Sequence, residues 1–247
     1  MLSMLAAVQF LTRIPIRLRR EPNIATSVPW FPVVGALIGA TVGGAAAGLW
    51  HVVPPLVAAA VAVALGMLVT GAFHEDGLAD VADAFAGGNT VERRLEILKD
   101  SRHGSYGVAA LCASIVIRIV SLGSIPGPLQ MFTVSIAANA AARGAAVGLM
   151  GVARPVTNQG LGADYGQATT VLRATLGVVL GLVLATAAVG RWVLPLVAVV
   201  LVSIVVVRWL AIRKIGGISG DVLGTCEQVA ECVCLVVLSG LAAHHRL

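Results

Sequence analysis

The segment Phe73-His74-Glu75-Asp76-Gly77-Leu78-Ala79-Asp80-Val81-Ala82-Asp83 holds four carboxylates in nine residues. On a helix turning about 100° per residue, Asp76, Asp80 and Asp83 fall at about 0°, 40° and −20°, so three acids share one narrow stripe. Like charges three and four residues apart destabilise a helix, and partial burial raises that cost. A divalent cation removes it. Hard oxygens with no cysteine or paired histidine nearby favour magnesium or manganese over zinc. The stripe is therefore expected to hold Mg2+ through Asp76, Asp80 and Asp83, with Glu75, about 100° off the stripe, as a secondary ligand. The plainer alternative is a solvated acidic loop, or pairing with Arg93, Arg94 and Arg102. His74 stands alone on the opposite face and reads as a hydrogen-bonded interfacial side chain.

Two further polar clusters accompany the stripe. Residues 90–102 read as an amphipathic helix with Thr90 as N-cap, ending in Lys99-Asp100-Ser101-Arg102-His103-Gly104-Ser105-Tyr106-Gly107. Cations, hydroxyls and glycines mixed in this way suit phosphate oxygens. The run Gly216-Gly217-Ile218-Ser219-Gly220-Asp221 leads into a helix whose free backbone N–H groups would face an anion, and Asp221 adds another acid. No Gly-Lys-Ser/Thr follows, so it is not a Walker A loop. Arg143 and Arg118 interrupt apolar helices and should face the bundle interior, paired with a carboxylate or awaiting an anion. Arg143 is the expected phosphate contact and Arg118 the structural one. Glu231, entering an apolar segment, needs a partner or a ligand.

The elements that must position these groups are membrane helices. Of 247 residues 58% are hydrophobic and only 12% charged, against roughly 25% charged in ordinary soluble domains. Residues 22–74 contain no Asp, Glu, Lys or Arg, a run more than twice the roughly 20 residues that cross a bilayer. Apolar stretches at about 30–50, 53–73, 105–122, 129–150, 174–190, 192–210 and 229–243 give an all-α bundle of about seven transmembrane helices. Continuous apolarity excludes a β-barrel. Residues 1–12 are too short to span and read as an interfacial helix. Gly35, Gly39, Gly43, Gly44 and Gly48 recur at spacings of four and five, a packing stripe.

Twelve Lys and Arg fall on one set of alternating connections and two on the other, so the N-terminus and loops 74–104, 151–173 and 211–228 are expected to be cytoplasmic. Every Asp and Glu lies on that side. The net charge of +5 is thus topological, and its residues lack the interleaved aromatics of a nucleic-acid surface. Residues 1–247 read as one integral-membrane catalytic domain in the plasma membrane, its site on the cytoplasmic face. Association of identical copies is compatible with it. A cation transporter would place acids near the midplane of inverted repeats, which this chain does not do.

A metal stripe with cations and glycine turns at one face points to phosphoryl transfer, which relies on positioning and charge neutralisation. One candidate class is the CDP-alcohol phosphotransferases acting on nucleotide-activated lipids, although this chain lacks the arginine that follows their first aspartate. A closer resemblance rests on three strings: residues 73–83; Lys99-Asp100-Ser101-Arg102 with Gly104 and Gly107; and Gly216-Gly217-Ile218-Ser219-Gly220-Asp221-Val222-Leu223-Gly224. They are similar to the hallmark segments of the cobalamin synthase family, the adenosylcobinamide-GDP ribazoletransferases. Phe10-Leu11-Thr12-Arg13-Ile14-Pro15, Trp30-Phe31-Pro32 with Gly35, and Gly160-Leu161-Gly162 extend the resemblance along nearly the whole chain. Residues 153–159, which carry only Arg154, lack the acidic or second basic group the family places just before Gly-Leu-Gly. Ser219 and Thr225 stand where threonine and alanine are commoner.

The resemblance implies attack by a hydroxyl of α-ribazole, or of its 5′-phosphate, on the cobinamide-linked phosphate of adenosylcobinamide-GDP, displacing GMP. It implies Mg2+ held by Asp76, Asp80 and Asp83 with Glu75 or Asp221. Lys99, Arg102 and Arg143, with Asp100 beside them, would balance the transferred charge, and Asp83 would accept the proton. Ser101, Gly104, Gly216, Gly217, Ser219 and Gly220 would hold substrate.

Overall fold

The structure, a computed structural model, describes residues 2–18, 23–157 and 161–245. Among these it forms α1 Leu2–Leu11, α2 Ile24–Ser27, α3 Phe31–Leu49, α4 Pro55–Thr70, α5 Phe73–Gly87, α6 Val91–Ile97, α7 Ser105–Gly123, α8 Pro128–Val152, α9 Leu161–Ala168, α10 Val171–Val189, α11 Val193–Ile215 and α12 Gly220–His245. Residues 158–160 of the sequence reading, and Arg19, Arg20 and Arg246, which are among the basic residues counted above, lie outside the described residues.

The all-α class stands. By length and composition five stretches can cross a membrane, and a sixth if α4 and α5 are taken together. The sequence reading has seven. The difference lies in two places: α4 and α5 bend by 90° at their junction, and residues 171–215 count as one 45-residue stretch. That stretch would run about 67 Å if straight. Instead, Ala174 of α10 and Arg208 of α11 line the same cavity beside Gly151, so the chain folds back at Gly190, where φ is +57°.

α8 is the axis of the bundle, with every residue from Ala137 to Met150 buried. Small side chains let its neighbours close in. A Cβ on Gly35 would lie 2.5 Å from the Asn139 carbonyl, and one on Gly39 would strike that of Ser135. The expected stripe therefore packs α3 on α8, except that Gly48 touches nothing. The short helix expected at the N-terminus forms as α1 and is docked on the bundle: Ala6, Ala7 and Leu11 are buried, and Phe10 stacks on Phe31 at 5.4 Å and meets Tyr165 at 4.3 Å. The N-terminal ends of α3, α7, α10 and α12 and the C-terminal ends of α4, α8 and α11 converge on one rim, where the site lies.

Candidate active site

The acidic segment is α5, and an elbow sets its direction. Gly71 and Ala72 both take left-handed backbone conformations, φ +69° and +55°, a strain of order 1 kcal/mol or more at the alanine. The strain persists because both sides are pinned. The Arg13 N–H donates to the Val69 carbonyl at 2.7 Å, and a Cβ on Gly71 would strike the Arg13 side chain. On the other side the first turn of α5 buries His74 and Glu75. The 90° turn lays α5 along the rim.

Asp76 and Asp80 face outward from α5, and His103, on the loop before α7, closes over them. Its Nε2 lies 3.5 Å from Asp76 Oδ1 and its Nδ1 3.4 Å from Asp80 Oδ1. One ligand atom from each of the three fits within 4.8 Å, so the group can hold a divalent cation. Burial pushes the Asp80 carboxyl up to about 6, with the charges of Asp76 and Asp221 adding to the rise and His103 opposing it. A dication relieves that repulsion. Two aspartate oxygens suit Mg2+, which keeps several waters; the imidazole extends the donor set toward Mn2+.

Asp221 approaches across the α5–α12 contact. A Cβ on Gly77 would lie 2.9 Å from both Asp221 Cα and its carbonyl oxygen, and Thr225 Oγ1 donates to the Gly77 carbonyl at 3.1 Å. Glycine at 77 is thus what lets α12 bring Asp221 to the acidic group.

Asp83 does something else. Both its oxygens accept backbone N–H bonds, from Gly104 at 2.6 Å and Gly107 at 2.9 Å, so it caps the start of α7 and fixes the loop that carries His103. The expected roles of ligand and proton acceptor do not fit a buried carboxylate engaged in this way, and the Gly104 N–H is not free for phosphate. Glu75 is likewise withdrawn, pairing with Arg118 at 2.9 Å.

Arg143 is no open phosphate contact. It is buried against Glu227, Glu231 at 3.2 Å and Asn139 Oδ1 at 2.7 Å. Arg118 also lies 3.8 Å from Glu231, and His74 Nδ1 lies 3.5 Å from Glu227. Gln228 Nε2 donates to Glu227 at 3.0 Å, and Gln228 Oε1 accepts from the Ser114 hydroxyl at 2.8 Å. This ionic knot ties α5, α7, α8 and α12 together beneath the acidic rim. It answers the expectation that Glu231 needs a partner.

Asp100 and Arg102 are locked together: Arg102 Nε and Nη2 donate to the two carboxylate oxygens at 3.0 and 2.8 Å. The guanidinium holds the Asp100 carboxyl down at about 2, which makes it a poor proton acceptor. Lys99 and Ser101 are exposed.

The glycine turn pairs with loop 153–157. Val156 N–H donates to Ile218 O at 2.8 Å and Ile218 N–H to Arg154 O at 3.0 Å, and a Cβ on Gly217 would lie 2.7 Å from Arg154 O. Gly216, with φ +81°, ends α11. Ser219 Oγ accepts from Val222 N–H at 3.3 Å and donates to Asp221 at 3.2 Å, acting as the cap of α12. Gly220 lines a small cavity with Phe10, Phe73 and Tyr165. These glycines shape the turn and place Asp221.

Sequence reasoning missed His103 in the cation group. The one signal available was an imidazole inside the Lys99–Gly107 polar run. It also left Glu227 without a task.

Fold and site define a polytopic helical membrane protein whose acidic, cation-competent group sits at one rim beside exposed basic side chains. The chain belongs to the cobalamin-5-phosphate synthase family, whose model matches residues 3–239, and is a transferase of cobalamin biosynthesis. It is 37% identical over 250 residues to an adenosylcobinamide-GDP ribazoletransferase of Ralstonia pickettii, covering 96% of this chain and 93% of that one. A Bradyrhizobium diazoefficiens enzyme of the same name is 37% identical over 243 residues, covering 94% and 90%. One from Pseudomonas aeruginosa is 35% identical over 250, covering 96% and 97%. No solved structure matches the chain.

Proposed function

We propose that this protein transfers the adenosylcobinamide-phosphate group of adenosylcobinamide-GDP to a hydroxyl of α-ribazole or its 5′-phosphate, releasing GMP. The carrying observation is the convergence of Asp76, Asp80 and His103 within 4.8 Å, with Asp221 packed alongside. Asp76 and Asp80, with His103 as third donor, would hold Mg2+, which when bound neutralises a diphosphate and stabilises departing GMP. Lys99 and Arg102 offset charge on the transferred group from the solvent side. A phosphate engaging Arg102 competes with Asp100 for its guanidinium. Asp83 serves by holding the His103 loop. Charge bias supports a cytoplasmic site in the plasma membrane.

The test supplies purified protein with Mg2+, adenosylcobinamide-GDP and α-ribazole and measures GMP. Magnesium-dependent GMP release supports the reading. CMP release from a CDP-alcohol without GMP release favours the lipid phosphotransferase reading.

A further inference from the structure

α10 and α11 diverge from their joint at Gly190, and at the site-side rim they leave a furrow of about 850 Å3. Ala174 and Val178 of α10 form one wall, Ile204 and Val205 of α11 the other, and Gly148 and Gly151 of α8 the floor. The furrow is apolar along its length and basic at its mouth, where Arg208 and Arg213 line it and no acidic residue does. Arg208 Nε donates to the Val152 carbonyl at 2.9 Å, which orients its exposed guanidinium beside the furrow. Arg213 lies over the Trp209 ring at 5.2 Å. Among the described residues neither arginine pairs with a carboxylate.

A furrow facing the hydrocarbon core is filled by acyl chains, because water there finds no polar wall. What distinguishes this one is its charged mouth. Arg208 lies seven residues, about 10 Å, from the end of α11, and its long stem lets the head reach the level of lipid phosphate. Two unpaired guanidinia with an indole at that level select negative charge.

We infer that this furrow is a binding site for an anionic phospholipid, its acyl chain between α10 and α11 and its headgroup on Arg208 and Arg213. The lipid would brace Val152, and through it the loop that pairs with the glycine turn.

The test reconstitutes the full chain with phosphatidylglycerol and phosphatidylethanolamine of matched acyl chains and reads retained lipid by native mass spectrometry. Each basic side chain near the surface contributes about fivefold, so Arg208→Gln with Arg213→Gln should cut phosphatidylglycerol retention roughly 25-fold and leave phosphatidylethanolamine unchanged. Val205→Trp, which fills the furrow and keeps both charges, should reduce both lipids. If the double variant does not fold, Arg213→Gln alone, at the exposed end of α11, should show the fivefold loss. Equal retention of the two lipids by the unmodified protein, a preference that survives the arginine changes, or a dimer cross-linked through Thr175→Cys would overturn the assignment.

Discussion

Replacing Asp83 by Asn separates a structural acid from a metal ligand. The carboxylate accepts the N–H groups of Gly104 and Gly107 at 2.6 and 2.9 Å. The amide keeps the shape but offers one acceptor, turning its NH2 toward the other backbone donor. A lost charge-assisted bond costs about 1.5–3 kcal/mol and a buried unpaired donor about 1–3 kcal/mol. These overlap, so about 2–4 kcal/mol is expected. For a chain of this size that lowers the unfolding midpoint by about 4–16 °C. Tryptophan fluorescence during heating in detergent reads it. Asp80→Asn, which removes a repelled charge, should instead leave the metal-free midpoint unchanged or higher while abolishing cation binding. An Asp83→Asn midpoint equal to or above that of the unmodified protein would refute the capping role.

Three other perturbations follow from the same geometry. Folded Asp80 holds its proton up to about pH 6 and an unfolded one releases it near 3.8, so between those values the folded state binds more protons. Raising pH through that window therefore lowers metal-free stability, seen as a midpoint difference between the unmodified protein and Asp80→Asn; cation affinity runs the other way, weakening as pH falls below about 6. Arg143→Met takes the guanidinium from buried Glu227 and leaves Glu231 only Arg118 at 3.8 Å, and should cost about 3–5 kcal/mol, read by the same melts. Gly77→Ala puts a Cβ 2.9 Å from the Asp221 backbone, forcing α12 off α5; a cost of about 1–3 kcal/mol with a steeper loss of GMP release is expected.

How far the sequence speaks depends on whether a feature is local. Helical angle alone puts Asp76, Asp80 and Asp83 on one stripe, and the first two do share the cation group. It does not say that Asp83, one turn further along, meets the open end of α7, because that contact is set by the tertiary path of the loop at 98–104. His103 reaches the aspartates through the same path, so its role was out of sight. Arg143 lies inside the bundle as its apolar helix requires, but the phosphate contact expected of it is not what the bundle provides. The nearby carboxylates of Glu227 and Glu231, one turn apart on α12, decide for pairing. Composition makes the glycine run an anion cradle, yet Arg154 and Val156 take up the Ile218 backbone N–H and carbonyl, a pairing no local pattern announces.

The most direct check is Mn2+ titration of the protein in lipid nanodiscs, followed by electron paramagnetic resonance with detection of nitrogen coupling. One saturable site carrying a histidine nitrogen signal, lost in the Asp76→Asn, Asp80→Asn double variant and stripped of nitrogen coupling in His103→Ala, is the predicted result. Undiminished binding in the double variant would contradict it.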